Sequence, residues 1–246
     1  MALTRIGSNA VGADAVTAAK IADNAISEEH LDPTIITGTT ALATAPDDTD
    51  EFLVSDAGTL KRIDYSLIKG GGAYEKLLTT TASDDASVSF SSTYITSTYR
   101  DYKIIMSNVD IYTAGQNIYI HLSDDNGSSY KGGTSYDSAV YGYASTPDLS
   151  YHASGGSGHF RINGHTLGNN DHDNMSGEIN LVNPLDTNSK KVIYGQIAFI
   201  NNSDKINTNH FAGFLDAASD AINNIKISAE SGNISSGTFT LYGRKN

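Results

Sequence analysis

The chain has 246 residues, room for one or two domains, and carries 28 acidic and 16 basic side chains for a formal net charge of −12. The acidity is even: residues 1–72 contribute −6 (eleven acidic, five basic) and residues 73–246 contribute −6 (seventeen acidic, eleven basic). Such a surface repels phosphate backbones and anionic membranes, which argues against a nucleic-acid partner and against membrane insertion. The absence of cysteine removes disulfides, thiolate metal sites and cysteine nucleophiles.

The first ten residues lack the continuous apolar stretch of a signal peptide, and no apolar run approaches the ~20 residues of a membrane span. A soluble product made in a cytoplasm is expected. Tyrosine outnumbers phenylalanine 14 to 7, tryptophan is absent, and Gly, Ser, Thr and Asn are abundant. Tyr and Thr favour strands while Gly and Asn favour tight turns, so the composition predicts a mostly β protein.

Ile6, Val11, Val16, Ile21, Ile26, Leu31 and Ile36 recur every five residues. Five matches neither the helical nor the strand period, so the apolar positions drift around a helix and change face along a strand. The unit also reads as ten residues long, with residues 15–24 aligning on residues 25–34. Short repeats cannot bury a core alone and need partner chains. The alternative is a short helix over residues 13–31, because Ala, Lys and Glu favour one. The phrase Ala15-Val16-Thr17-Ala18-Ala19-Lys20-Ile21-Ala22-Asp23-Asn24-Ala25-Ile26 resembles decapeptide repeats in the shafts and anchors of phage tail fibres. Pentapeptide-repeat β-helices fit less well, since Ala10, Ala15 and Ala25 stand where that pattern places Asn or Asp.

Residues 37–50 are small and polar and read as a linker. In the segment Phe52 to Ile63, two apolar runs flank Asp56-Ala57-Gly58, which predicts a hairpin. Residues 64–69 read as one helical turn with Asp64 as N-cap. Residues 50–69 resemble a connector in tail-fibre proteins of marine phages, a motif with no catalytic chemistry. Gly70-Gly71-Gly72 offers a flexible joint.

Beyond it, strands are expected at 74–80, 86–91, 101–111, 116–122, 139–143, 158–163, 175–182, 191–201, 210–215, 222–230 and 237–243. Their spacing predicts a β-sandwich of jelly-roll type. Ser123, Asp125, Gly127, Ser129 and Tyr130 match an Asp-box pattern, in which Asp125 and Gly127 shape a hairpin turn. Gly177 to Pro184, Ala221 to Ile227 and Ser236-Gly237-Thr238-Phe239-Thr240-Leu241-Tyr242-Gly243 follow one another in an order that resembles the terminal β-sandwich of phage fibre and appendage proteins. That resemblance covers roughly residues 74–246.

For chemistry, residues 152–173 gather His152, His159, His165, Asp171, His172 and Asp173, but at no known ligand spacing. A polar surface loop is the expectation, with no metal and no cofactor. His159 or His165 repeated about a trimer axis is the one route to a metal. A glycosidase needs two acids facing one sugar, and Glu178 and Glu230 are the glutamates available to the module beyond Glu75. No G-x-S-x-G, H-E-x-x-H or P-loop is present, and no enzymatic activity is expected. The loops between residues 130 and 174 mix Tyr with Asn, Asp, Ser and Gly, as adaptable recognition surfaces do. Tyr136, Tyr143, Tyr151 and His165 are the candidates to line a glycan-facing surface.

These readings combine into three segments: a repeat anchor or shaft (1–37), a linker with a hairpin connector (38–72) and a C-terminal β-sandwich (73–246). The resemblance implies a homotrimeric tail fibre of a phage virion, assembled in the host bacterial cytoplasm. Its N-terminus would dock on other virion proteins, such as a tail adaptor, nozzle or capsid, and its sandwich on a host-surface glycan or protein. A capsid decoration or head-fibre protein is the structural rival, and a polysaccharide-degrading spike the third reading.

Overall fold

The computed structural model describes residues 12, 13, 15–22, 25, 26, 30–69, 72–145, 148–170, 173–217 and 219–245. Ile6, Val11, Gly70, Gly71, Asp171 and His172, on which some of the readings above fall, lie outside them. The chain divides into two compact units, Met1–Gly70 and Gly71–Asn246.

In the first unit, the described residues between 12 and 38 form single turns: a 3-10 turn at Ala18–Lys20 and a helical turn α1 at Thr34–Thr37, closed by Gly38 N–H donating to Thr34 O at 2.8 Å. Val16, Ile21, Ile26, Leu31 and Ile36 are each between 40% and 77% exposed, so none of these five positions of the beat belongs to a core among the described residues. The expected hairpin pairs β1 (Glu51–Asp56) with β2 (Thr59–Asp64). Ala57 and Gly58 both adopt positive φ, 50° and 82°, which suits the right-handed twist of a two-residue hairpin. A single helical turn, α2 (Tyr65–Ile68), follows. Asp64 holds the N-cap position in extended conformation, but its side chain makes no capping bond.

The second unit is mostly β and sandwich-like, with two antiparallel sheets. The larger has eight strands in the order β3 (Glu75–Asp85), β14 (Ile234–Lys245), β5 (Tyr99–Ile111), β10 (Met175–Val182), β11 (Lys191–Ile200), β12 (Ile206–Leu215), β7 (Tyr136–Ala144), β8 (Leu149–Ser157). The smaller has four, in the order β4 (Val88–Phe90), β13 (Asn224–Ala229), β6 (Ile118–Ser123), β9 (Phe160–Arg161). The period-two alternation of each strand sends one set of side chains inward. Ile118, Ile120, Leu122, Ile225 and Ile227 from the smaller sheet join Ile104, Ile179, Leu181, Ile193 and Phe211 from the larger in one core. Phe160 meets Phe211 edge-on at 6.0 Å, and Gly213 leaves the room, since a Cβ there would collide with the Phe160 ring. With four strands covering eight, the larger sheet keeps its other face open.

One end of the interior is polar. Asn209 accepts from Gly164 N–H at 2.8 Å, and Asn163 accepts from Ile118 N–H at 2.9 Å and donates to His165 O at 2.7 Å. These bonds satisfy buried backbone groups and fix the segment after β9 against both sheets.

Candidate functional site

The open face of the eight-stranded sheet is built from register. Glu178, Gln196, His210, Tyr141 and Tyr151 lie side by side across β10, β11, β12, β7 and β8. The neighbouring row is Ser176, Ala198, Thr208, Tyr143 and Leu149, and on the other side run Asn180, Tyr194, Ala212, Ala139 and Ala153. Tyr141, Tyr143, Tyr151 and Tyr194 are 47%, 54%, 60% and 46% exposed, which makes them available to a ligand rather than core. Tyr141 and Tyr143 meet edge-on with centroids 5.5 Å apart, and their hydroxyls are 2.5 Å apart.

Small side chains open grooves on either side of this aromatic ridge. One, of about 330 Å³, lies over Ser176, Ala198 and Thr208 and is flanked by Gln196 and His210. The other, of about 400 Å³, lies over Ala139, Ala153 and Ala212 and is closed by Phe214 and Asp137. Rings beside shallow grooves with amide, hydroxyl and imidazole neighbours offer stacking area and hydrogen bonds together.

The four expected glycan-facing residues part three ways. Tyr143 and Tyr151 stand on the open face, on strands β7 and β8 rather than on loops. Tyr136 does not: it is buried, and its hydroxyl accepts from Leu122 N–H at 2.8 Å, tying β7 of one sheet to β6 of the other. Burial pushes its phenol up to about 12. Tyr136 therefore cannot line a surface. The physical reason is parity, since Tyr136 and Tyr141 are five residues apart on one strand and point to opposite faces.

His165 sits elsewhere, on a strand-end cavity of about 380 Å³ lined with Asp148, Thr166, Asn201, Asn202, Ser203 and Lys205. Its Nδ1 is 2.9 Å from Asn207 Oδ1, which accepts and so places a proton on that nitrogen. Its Nε2 is 3.6 Å from the Asp148 carboxylate. Sequence reasoning passed over Tyr194, His210 and the groove alanines as site residues. A register from β10 to β8 was needed to bring them together.

His159, the other minority metal candidate, stacks on Tyr119 at 3.7 Å on the smaller sheet. Among the described residues no group of three or more His, Asp or Glu side chains is placed to hold a metal ion. Glu178 pairs with Lys103 at 2.9 Å on the larger sheet, and Glu230 accepts from Asn117 at 2.6 Å beyond the end of β13 in the smaller sheet. The two carboxylates flank no common site. In the Asp-box turn, Asp125 accepts from Ser123 Oγ at 2.6 Å, Ser129 N–H at 2.9 Å and Ser129 Oγ at 2.6 Å, while Gly127 has φ of 88°. Bonds from Ser123 and then Ser129 hold the Asp125 carboxyl well below the usual range.

The fold and the open face define a β-sandwich-like module with an aromatic-rich exposed sheet. Compared with known proteins, the chain matches no family model and no curated sequence.

Proposed function

We propose that this chain is a fibre protein of a bacteriophage particle, a homotrimer whose jelly-roll-like C-terminal unit adsorbs to a carbohydrate on the host surface and performs no catalysis. The observation that carries the reading is the exposed ridge of Tyr141, Tyr143 and Tyr151 between two shallow grooves. Sugar rings stack on such faces, and weak single sites gain from three copies on one fibre. The fibre assignment is supported by the resemblance over residues 15–26, 50–69 and 236–243, and by the exposed apolar beat from Val16 to Ile36, which needs partner chains.

The test is binding of the fluorescently tagged full chain to the bacterium that the phage infects. Saturable binding that competes with phage adsorption, and that falls at least about tenfold in the double variant Tyr141→Ala, Tyr151→Ala, is expected for an aromatic hot spot. Binding that is absent, or that ignores the double variant, overturns the reading.

The structural rival, a capsid decoration or head-fibre protein, is favoured by one feature of the same face. Leu149, Val192 and Ile206 are exposed beside the tyrosines, as residues buried between copies would be. Under that reading the double variant leaves cells unbound and lowers the oligomeric state measured by light scattering.

A further inference from the structure

The outer face of the four-stranded sheet has a different chemistry. Because Ile118, Ile120, Leu122, Ile225 and Ile227 point inward, Tyr119, His121 and Lys226 must point outward. Lys226 pairs in register with His121, and Tyr119 with Arg161 on the next row. His159 stacks on Tyr119 at 3.7 Å and stands 6.1 Å from His121. Lys226 Nζ lies 4.0 Å over the Tyr130 ring, and His121 meets that ring edge-on at 6.1 Å. His152 is near enough to Arg161 and His159 to feel both.

Four nitrogen-bearing side chains, Lys226, His121, His159 and Arg161, therefore gather on one face of a chain whose net charge is −12, with His152 of β8 within electrostatic reach. Among the described residues two carboxylates reach this cluster: Glu230, which acts on His159 and Arg161 but already accepts from Asn117 at 2.6 Å and interacts with Tyr119, and Asp125, which acts on Tyr130 and is held by Ser123 and Ser129. Lys226 has burial as its sole perturbation and no counter-charge among the described residues. None of the three imidazoles has a hydrogen-bond partner for its ring there. Arg161 spends Nε and Nη2 on Asn163 O and Gly164 O at 2.6 and 2.7 Å, so its charge is held rigidly but not neutralised. Among the described residues the buried side-chain atoms without a partner are Ser138 Oγ and Arg244 Nε, so the nitrogens of Lys226 and of the imidazoles reach solvent and are free to meet a ligand.

We propose that this face is a binding site for an acidic oligosaccharide, its successive carboxylates held by Lys226, His121 and His159. The nitrogens span two rows and three strands, roughly 7–10 Å by strand geometry, which is wider than one inorganic anion. The site is separate from the tyrosine ridge of the larger sheet and does not depend on it.

The site couples to protons. Burial, then Lys226, then His159 push His121 down to about 4, and burial also lowers His152 and His159, so all three are held neutral at pH 7. An anion among them favours the protonated form, and by linkage lower pH favours the anion. The groups facing His121 are Lys226, His159, Tyr119 and Tyr130, and beyond them Glu230 acts on His159 and Asp125 on Tyr130; neutralising either carboxylate on acidification would favour the anion in the same direction.

The test is calorimetric titration of the full chain with trigalacturonate, with a neutral trisaccharide and with inorganic sulfate, at pH 7.5 and 5.5. Expected is saturable trigalacturonate binding that tightens about tenfold at the lower pH, as uptake of half a proton or more requires. Lys226→Gln and His121→Gln should each weaken it several-fold with the fold retained by circular dichroism, whereas Tyr141→Ala with Tyr151→Ala should not. No saturable binding at pH 5.5, sulfate or the neutral sugar bound equally tightly, or indifference to both single variants would overturn the assignment.

Discussion

The two units treat the same kind of residue in opposite ways. No described side chain of residues 12–69 is buried, although Val16, Ile21, Ile26, Leu31, Ile36, Leu53, Leu60 and Leu67 lie among them. In residues 72–245, the isoleucines, leucines and phenylalanines of alternate strand positions converge on one core. The difference is periodic, not compositional. A period of two, repeated over paired strands, places every second side chain on a common face. A period of five in single turns gives each apolar residue its own direction, so no common face forms. Cohesion of the second unit is thus within the chain, and under the proposed fibre reading that of the first would lie between chains.

The largest effect should come from breaking the core side of this contrast. Phe160 is fully buried, bridges the smaller sheet to Phe211 and occupies the space that Gly213 leaves. Phe160→Ala should cost about 3–5 kcal/mol, the usual cost of emptying such a site. Chemical denaturation read by tyrosine fluorescence checks it, and a loss below 1 kcal/mol would mean that the two sheets do not share a core there.

On the other side, Ile21→Asp with Ile26→Asp should leave the melting of the C-terminal unit unchanged, because neither side chain touches a core. The association state should change instead. Burying each isoleucine between chains contributes about 1.5–3 kcal/mol, so losing two should weaken association more than about a hundredfold. Sedimentation of the full chain distinguishes the outcomes, and an unaltered oligomer would show that the five-residue beat is not an interface.

Tyr136 sharpens the comparison inside the core. Tyr136→Phe keeps the ring but leaves Leu122 N–H without its acceptor at a buried position. The expected loss is about 1–3 kcal/mol, with no change in ligand binding. Reduced cell binding at unchanged stability would instead return Tyr136 to the surface role that its position in the sequence suggested.

Tyr136 also shows what was legible. Strand existence was readable where alternation is strong: Met175–Val182 forms β10 over the span expected, and Ile118, Ile120 and Leu122 share the inward face. Strand β8 was not readable, because Leu149–Ser157 carries Ala, Ser and Gly where a core strand would carry β-branched residues. It forms as an edge strand by pairing with β7. With β8 unseen, Tyr136, Tyr143 and Tyr151 looked like one loop cluster. Parity alone would have separated Tyr136 from Tyr141 and Tyr143, a signal present in the sequence. The partnership of Tyr141 with Tyr151 and His210, and the charge-rich face around His121, required strand order, which no local pattern encodes.

The comparison also extends to pH, through a dependence expected in the C-terminal unit. His121 is depressed to about 4 in the fold, chiefly by burial and then by Lys226, from an ordinary value of 6.5. Between those values the unfolded chain binds a proton that the folded chain refuses, so stability rises with pH across that window and falls as pH drops through it. His152 and His159 are lowered as well and add to the same sign. Roughly one unit above the ordinary value both states are neutral at this site and the dependence fades. Thermal melts at pH 7.0 and 4.5 should therefore differ, and His121→Gln should narrow the difference, because glutamine has no proton to gain. An unchanged difference in His121→Gln would place the acid sensitivity in other groups. A stability that rose on acidification would mean that His121 is already paired with an acceptor in the fold, and the argument for an unfilled anion site beside Lys226 would fall with it.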